Sequence, residues 1–572
     1  MKQTDPLTPI KRFFRLLQVD KQEILSIYVY ALFNGIITLS LPLGIQAIIN
    51  FISGGQVSTS WIVLVIFVIL GVALTGVMQI LQLSISENIQ QKIFTRSAFE
   101  FAYRIPRLKM EAVEQAYVPE LVNRFFDTLS VQKGLSKILM DFSSASLQVL
   151  FGLILLSLYH PFFILYSLIL VGVVYLIFRF TAPKGLTTSL KESSRKYEVV
   201  YWLEELARTM ETFKLAGKSP LPMDRTDQLV SNYLDSRKAH FKTLLIQYIN
   251  LVGFKVIIVA GLLLIGGLLV INQQMNIGQF VASEIIIILV LASVEKLILS
   301  METIYDVLAS IEKIGNVTDL PLESDSGEQI TDNSEAGLAV HIENLTYTYS
   351  ASNFSLKDVC IDIQPGEKIC LAGPSGAGKS ILLQICAALM SGYQGTLSYN
   401  RLPIKNWNKE ALRSLIGDSL SNEDIFRGSV QENIGLCKPG VDITDIQDAA
   451  VITGLHSFIE TLEDGYQTLL SSEGKNIPKN IRQKIMLSRC LLGNPKLVLL
   501  ENNFNTLNKT DKQRFLDHLL NKKTTLIAVS NDPQIAEQFD RVILLDRGSI
   551  IATGGSKEIV SSPLFKEVTQ MD

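Results

Sequence analysis

The sequence predicts a multidomain chain, with an all-α transmembrane domain of six helices followed by an α/β domain built round a phosphate-binding loop. Three observations predict it. Six stretches are long and apolar enough to cross about 30 Å of hydrocarbon. After the sixth, the pattern changes to short β-rich runs alternating with helical segments. Between one such run and one such helix stands Gly373-Pro-Ser-Gly-Ala-Gly-Lys-Ser380, which matches G-x-x-x-x-G-K-[ST] without departure. At 572 residues and 48% hydrophobic, the chain is too long for one ordinary domain and too apolar to be wholly soluble.

The six spans run from Ile24 to Ile48, Trp61 to Leu83, Leu139 to Leu158, Phe162 to Phe180, Tyr248 to Ile271 and Ile277 to Ser300. The connections Asn50 to Ser60, Tyr159 to Pro161 and Asn272 to Asn276 contain no Lys or Arg, while both long connections and both ends are rich in them. That asymmetry places both termini and both long loops in the cytoplasm. Ahead of the first span, Pro9 to Val19 sets Phe13, Phe14, Leu16 and Leu17 among Lys11, Arg12 and Arg15. It reads either as an amphipathic helix on the inner membrane face or as a plain basic leader. About twenty basic-rich residues precede the first apolar run, and no small-residue cleavage site closes that run, so the first span is expected to remain in the mature protein.

The long loops, Ser84 to Lys137 and Thr181 to Gln247, keep helical periodicity and high charge, as spans continuing into water do. Lys255 and Glu284 are ionisable residues inside spans and thus candidates for a transport path. A direct pair, structural neutralisation and snorkelling all remain open for them. The acidic, Ser- and Gly-containing stretch 319–337 is the expected linker between a membrane domain, 1–318, and an α/β domain, 338–572. Net charge is only −3, from 52 basic and 55 acidic residues, so nothing draws the chain to nucleic acid. The five cysteines, Cys360, Cys370, Cys386, Cys437 and Cys490, show no metal-ligand spacing and read as buried, reduced thiols.

Around the phosphate loop the context is a strand, Lys368 to Ala372, and a helix, Ile381 to Met390. Backbone N–H groups and the helix N-terminus then converge on a phosphate, Lys379 adds a point charge, and Ser380 offers a hydroxyl to magnesium. Flanking patterns add to this: Asn344-Leu-Thr-Tyr-Thr-Tyr349, Ser355-Leu-Lys-Asp358, Gly366-Glu-Lys368 and Phe426-Arg-Gly-Ser-Val-Gln-Glu-Asn-Ile434. Together these resemble the ABC exporter family over essentially the full chain, in the order of a half-transporter whose membrane domain is fused to an ABC-type P-loop NTPase domain. The resemblance implies ATP and Mg2+ as cofactors, Tyr349 stacked on the adenine, and Gly373, Ser375, Gly376, Ala377, Gly378, Lys379, Ser380 and Ile381 about the phosphates. It also implies that Tyr117 to Lys133 and Val199 to Lys218 transmit closure of the nucleotide domain. Leu41-Pro-Leu-Gly44 and Met275 to Ala282 look somewhat like exporters of polypeptides in type I secretion.

Other family motifs are broken. Where the family reads L-S-G-G-Q, this chain reads Ile477-Pro-Lys-Asn-Ile481. The serine hydroxyl and both glycines are gone, and Pro478 removes a backbone donor. Lys479 and Asn480 are the only residues of that string able to touch a phosphate. The strand end Val498-Leu-Leu-Glu501-Asn502 has Glu501 for the family's metal-shell aspartate and Asn502 for its catalytic glutamate. A carboxamide has no basic site at neutral pH. Ser421 stands for the glutamine that meets magnesium, Asn531 for the switch histidine, and Ile381 for a Thr or Ser. No L-S-G-G-Q-like string or D-E pair after an apolar strand occurs beyond Gly395 to suggest a different register.

The resulting expectation is an exporter subunit of the cell (inner) membrane. It binds ATP with impaired hydrolysis in its own site and works as a homodimer or as a heterodimer with another half-transporter, with a periplasmic adaptor as a further partner. Its rivals are a conventional ATP-hydrolysing exporter and a nucleotide-binding scaffold or regulator that moves no substrate.

Overall fold

A computed structural model of the chain describes residues 8–53, 59–114, 117–324, 326–328, 336–348, 355–420 and 425–569. It divides into two compact units: Met1–Arg107 with Ala116–Leu320, and Leu108–Gln115 with Pro321–Asp572.

The first unit is helical. A short helix α1 (Pro9–Val19) precedes α2 (Lys21–Thr38), α3 (Ser40–Ser53) and α4 (Thr59–Arg104). After α5 (Met110–Val113), which belongs to the other unit, come α6 (Val118–Asn123), α7 (Asp127–Tyr159), α8 (Phe162–Arg208), α9 (Met210–Leu215), α10 (Leu221–Ile271) and α11 (Ile277–Thr318). Six stretches among the described residues are long and apolar enough to cross a membrane. At about 1.5 Å per residue, the 51 residues of α10 extend roughly 77 Å, far beyond a bilayer, so the spans do continue as long helices. On α4 the side chains of Phe67, Leu70 and Ile80 are exposed, the surface a helix presents to lipid. Inside, Leu156, Leu170, Leu251 and Val290 form the dry seam between α7, α8, α10 and α11.

The turn between α10 and α11 is written in local chemistry. The Asn276 side chain accepts from the Gln279 N–H (2.7 Å), and the Gln279 side chain accepts from the Asn276 N–H (2.9 Å), a reciprocal N-terminal cap. The first span departs from expectation. It is two helices separated at Leu39, because Pro42 lacks the N–H that would bond Thr38 and its ring crowds that carbonyl. The α1 helix forms, but Phe13, Leu16 and Leu17 pack against Ile27, Ile89, Val131 and Ile311 of the bundle. Only Ile10, Phe14 and Val19 remain as large apolar side chains facing outward.

The second unit contains twelve strands among its described residues: β1 (Val340–Thr348), β2 (Ser355–Ile363), β3 (Lys368–Ala372), β4 (Gln394–Tyr399), β5 (Leu402–Pro403), β6 (Ile416–Ser419), β7 (Gly428–Ser429), β8 (Leu469–Leu470), β9 (Leu497–Leu500), β10 (Thr525–Val529), β11 (Arg541–Asp546) and β12 (Ser549–Gly555). The principal sheet has the order β12-β11-β3-β10-β9-β6 and is parallel apart from β12. Its inner strands β3, β9 and β10 are buried along their whole length because both faces are covered. In β9, Val498 and Leu500 enter one core while Leu497 and Leu499 enter the other; in β10, Leu526 and Ala528 alternate in the same way with Ile527 and Val529. A second sheet, antiparallel, has the order β2-β1-β4-β5. The helices needed below are α12 (Lys379–Cys386), α13 (Lys409–Ser414), α14 (Val430–Gly435), α15 (Ile443–Ile452), α16 (His456–Ile459), α17 (Lys479–Leu491) and α18 (Lys509–Asn521).

All five cysteines are free, yet only Cys370, Cys386 and Cys490 are buried. Cys360 and Cys437 are exposed. Cys360 takes an outward position on the edge strand β2, where the period of two turns it from the core, and Cys437 lies in the turn after α14.

Candidate functional site

The phosphate loop leaves the C-terminal end of β3, at the centre of the principal sheet, and enters α12. Gly373 has φ +148°, and a Cβ there would meet the Leu545 carbonyl oxygen at 2.0 Å, so β11 fixes where the loop begins. Gly376 has φ +77° with open space round the missing Cβ, and Gly378, at φ +103°, is the left-handed residue that turns the chain into α12. Ser375, Gly376 and Ser380 are exposed, Gly378 and Lys379 half-buried, and Ala377 buried. A concave backbone with small or absent side chains at a helix N-terminus is what an anionic phosphate needs. A cavity of about 290 Å3 beside it is lined by Ser375, Gly376 and Ala377 together with Lys357 and Arg547.

Hydrogen bonds from three directions hold the loop. The Lys379 ammonium donates to the carbonyl oxygens of Gly373 (2.6 Å) and Pro374 (2.7 Å). The Gly373 N–H donates to Asn531 Oδ1 at 3.0 Å, and Asn531 Nδ2 donates back to the Gly373 carbonyl at 3.0 Å. Asn531 follows β10, the neighbour of β3, so the parallel register aims its amide at this peptide. The turn after β11 is stitched on as well: Gly548 donates to the Ala377 carbonyl (3.1 Å) and accepts from the Lys357 N–H (2.8 Å).

Glu501, half-buried, and Asn502, exposed, leave the C-terminal end of β9, next in the sheet to β10. Ile477 and Ile481 are buried in the core, whereas Pro478, Lys479 and Asn480 are exposed at the start of α17, with Pro478 as its N-cap. The stretch Phe426 to Ile434 has a local explanation: Ser429 accepts from the Glu432 N–H (3.0 Å) while Glu432 accepts from the Ser429 N–H (2.7 Å), capping α14. Asn433 holds the preceding chain through the Phe426 N–H (3.1 Å) and carbonyl (2.9 Å). Below these elements, Lys484 of α17 and Asp511 of α18 make a buried pair at 2.6 Å, and Lys484 also donates to the Gly454 carbonyl between α15 and α16 (2.9 Å).

A family model described as "ABC transporter" matches residues 356–505, and one described as "ABC transporter transmembrane region" matches residues 24–294. The chain belongs to the ABC transporters. The toxin RTX-I translocation ATP-binding protein of Actinobacillus pleuropneumoniae is 27% identical over 369 residues, 63% of this chain and 51% of its own length. The alpha-hemolysin translocation ATP-binding protein HlyB of Escherichia coli O157:H7 is 26% identical over 375 residues, 64% of this chain and 52% of its own length. The chain thus spans about half the length of the curated relatives it matches. The solved structure of a bacterial Atm1-family ABC exporter with ATP bound shares the fold, at a TM-score of 0.84, 17% identity and 96% and 98% coverage of this chain and that one.

This ABC exporter fold therefore carries a transmembrane domain and an ATP-binding domain in one chain. Of the residues expected at the nucleotide, those of Gly373 to Ser380 form one continuous loop, while Ile381 turns its apolar side chain toward the core formed with Leu382 and Leu383. Tyr349 and Ser421 lie outside the described residues. Among the described residues no three His, Cys, Asp or Glu side chains cluster as a metal site.

The helical unit adds detail to two of the sequence readings. Lys255 on α10 pairs with Glu295 on α11, not with Glu284. Span ends alone do not give the rotation and stagger of two long helices, and it is these that bring Glu295 to Lys255. The segment 117–133, expected to transmit closure, lies in the helical unit, whereas the upstream 108–115 belongs to the unit of the sheets. There the Glu111 carboxylate of α5 accepts from the Ser391 N–H, the Ser391 hydroxyl (2.9 Å) and the Gly392 N–H (3.1 Å). Burial opposes its ionisation, but these donors prevail and hold the carboxyl below the usual glutamate range. Reasoning from sequence missed Glu111 on α5 and Arg547 in the turn after β11, which share no local motif, and it gave Lys357, inside the Ser355-Leu-Lys-Asp358 pattern, no role of its own.

Proposed function

We propose that this chain is an exporter subunit that binds ATP through Gly373 to Ser380 but hydrolyses it slowly in its own site. The observation that carries this reading is Asn531. An amide, not an imidazole, follows β10, and both its polar atoms are engaged with the Gly373 peptide. Asn502 adds to it, since a carboxamide cannot take the proton of an attacking water. Loss of a general base typically costs about 10² to 10⁴ in rate.

In this reading the loop's N–H groups bind the β-phosphate, Lys379 exchanges two carbonyls for phosphate oxygens, and Asn531 keeps the Gly373 peptide in place meanwhile. Tyr349 stacks on the adenine. Ser380, exposed in the first turn of α12, and Glu501 are the side chains that would hold magnesium, which would supply neutralisation of phosphate charge. ATP binding then favours a closed dimer by differential affinity, which is all a population shift requires. The second subunit is a copy of this chain or another half-transporter.

The domain boundaries of this reading are 1–318, 319–337 and 338–572, with the ATP-binding domain and both termini cytoplasmic and the spans in the inner membrane. The relatives are named for translocation of toxin RTX-I and of alpha-hemolysin. They support a polypeptide cargo here, with a periplasmic adaptor as an added partner and Lys255 and Glu284 on the transport path.

The test pairs equilibrium binding of labelled ATP with steady-state phosphate release on purified full-length protein, for the unaltered chain, Lys379→Ala and Asn502→Glu/Asn531→His. The expected result is ATP binding that needs Lys379, with release near background. Appreciable Lys379-dependent turnover in the unaltered chain would overturn the reading and restore a conventional exporter.

A further inference from the structure

Between α1, α4 and α11 the helical unit holds a groove of about 270 Å3. Its polar wall is formed by Arg12, Arg15, Arg96 and Arg104 against the two carboxylates Glu100 and Asp319, and its floor is apolar, with Leu16, Ile93 and Ile311 among the lining.

The arginines are only partly satisfied. Arg12 donates to Glu312 and, at 2.5 Å, to Asp319, and it lies on Gly315, where any Cβ would meet its Cζ at 2.4 Å. Arg96 donates through Nη2 to Asp20 at 3.0 Å and 3.3 Å, and Arg104 through Nε to Glu100 at 3.0 Å. Arg12 Nε and Arg96 Nη1 are buried donors with no hydrogen-bond partner among the described residues. Arg15 is exposed, and no carboxylate among the described residues pairs with it. Buried guanidinium donors left unmatched cost free energy and mark a place where an acceptor is expected.

The groove lies where the charged leader meets the first span, and the outward side chains next to it, Phe14, Val19 and Leu25, are apolar and 59%, 59% and 63% exposed. We infer that it binds the phosphate of an anionic phospholipid, with the headgroup on Arg15, Arg96 and Arg12 and an acyl chain along the apolar floor toward the bilayer. Basic pockets at the cytoplasmic ends of membrane helices bind anionic headgroups in this way, at about fivefold in affinity per arginine. A bound lipid would clip α1 to α4 and α11 in addition to the Arg12 ion pairs and the packing of Phe13, Leu16 and Leu17.

Full-length protein in neutral detergent is titrated with short-chain phosphatidylglycerol, short-chain phosphatidylcholine and inorganic phosphate, and bound molecules are counted by native mass spectrometry. The expected result is preferential binding of phosphatidylglycerol, weakened about fivefold by Arg15→Gln and about 30-fold by Arg15→Gln/Arg96→Gln. Arg208→Gln, outside the groove, is expected to bind as the unaltered chain does. Because Arg15 is exposed, its single variant tests the site even if the double variant does not fold. Equal binding of the two lipids, or phosphatidylglycerol binding unmoved by Arg15→Gln, would overturn the inference. So would displacement of the lipid by millimolar inorganic phosphate, which would leave a free-anion site instead.

Discussion

Replacing Asn531 by alanine should weaken ATP binding although Asn531 is not expected to touch the nucleotide. The Gly373 peptide is buried at the head of the phosphate loop, and Asn531 satisfies both its N–H and its carbonyl at 3.0 Å. In Asn531→Ala the N–H loses its acceptor at once. The carbonyl keeps the Lys379 ammonium at 2.6 Å, but only until Lys379 is recruited to phosphate. The penalty therefore falls more heavily on the nucleotide-bound state. A buried polar group left unmatched costs about 1–3 kcal/mol, which corresponds to a Kd raised about 5- to 150-fold. Asn531→His, which restores the family's residue, cannot reproduce the paired donor and acceptor of a carboxamide in one plane, so it too should bind ATP less tightly than the unaltered chain. The assay is equilibrium binding of labelled ATP to the full-length protein, with Lys379→Ala as the non-binding reference. An unchanged Kd in Asn531→Ala, beside abolished binding in Lys379→Ala, would refute the idea that this amide organises the loop.

Three further outcomes are expected. Asp511→Ala leaves the Lys484 ammonium buried and unpaired, a loss of about 3–5 kcal/mol. It should lower the unfolding temperature of the ATP-binding unit by about 6–20 °C in a thermal scan, while Lys484→Met/Asp511→Leu recovers much of that; a near-neutral single variant would exclude a structural role for the pair. His518 on α18 has its pKa depressed by burial, with Lys522 acting in the same direction, so the unfolded chain takes up its proton first as pH falls. Stability should accordingly decline below pH of about 6.5, toward the folded pKa, and His518→Leu should flatten that slope in pH-dependent unfolding. Lys255→Glu and Glu295→Lys should each lower the unfolding temperature and the double exchange restore it, since the two side chains pair across α10 and α11; equal loss in all three would show that the charges act separately.

What could be read from the sequence was what local periodicity and local chemistry determine. Six apolar stretches had to be helices in lipid, because no other open structure satisfies their backbones there, and β3 and β9 were visible as uninterrupted apolar runs bounded by turns. The glycines at 373, 376 and 378 announced a backbone shape, and each takes positive φ. The break at Leu39 was also a local matter, since Pro42 stood in plain view; the span length hid it. What stayed hidden depends on residues far apart in the chain. That Lys255 meets Glu295 follows from the rotation of two helices of 51 and 42 residues about one another, where a shift of one residue turns a side chain by about 100°. That Glu111 lies in a nest of N–H groups from Ser391 and Gly392 depends on a contact 280 residues distant.

The broken motifs show the same division from the other side. Loss of the signature glycines is visible in the letters, yet Ile477 and Ile481 turn out to belong to the hydrophobic core, leaving Pro478, Lys479 and Asn480 alone at the surface. The string is thus committed at both ends to packing. A lysine at the first turn of α17 opposes the helix dipole, which a neutral signature serine would not do, yet it also offers positive charge where a partner's γ-phosphate is expected to lie. Asn531 behaves likewise: the letters say only that an imidazole is missing, whereas the geometry gives the replacing amide a task at Gly373. On the proposed reading, ATP affinity and ATP turnover are expected to separate in this chain, with the phosphate loop setting the first and Asn502 the second.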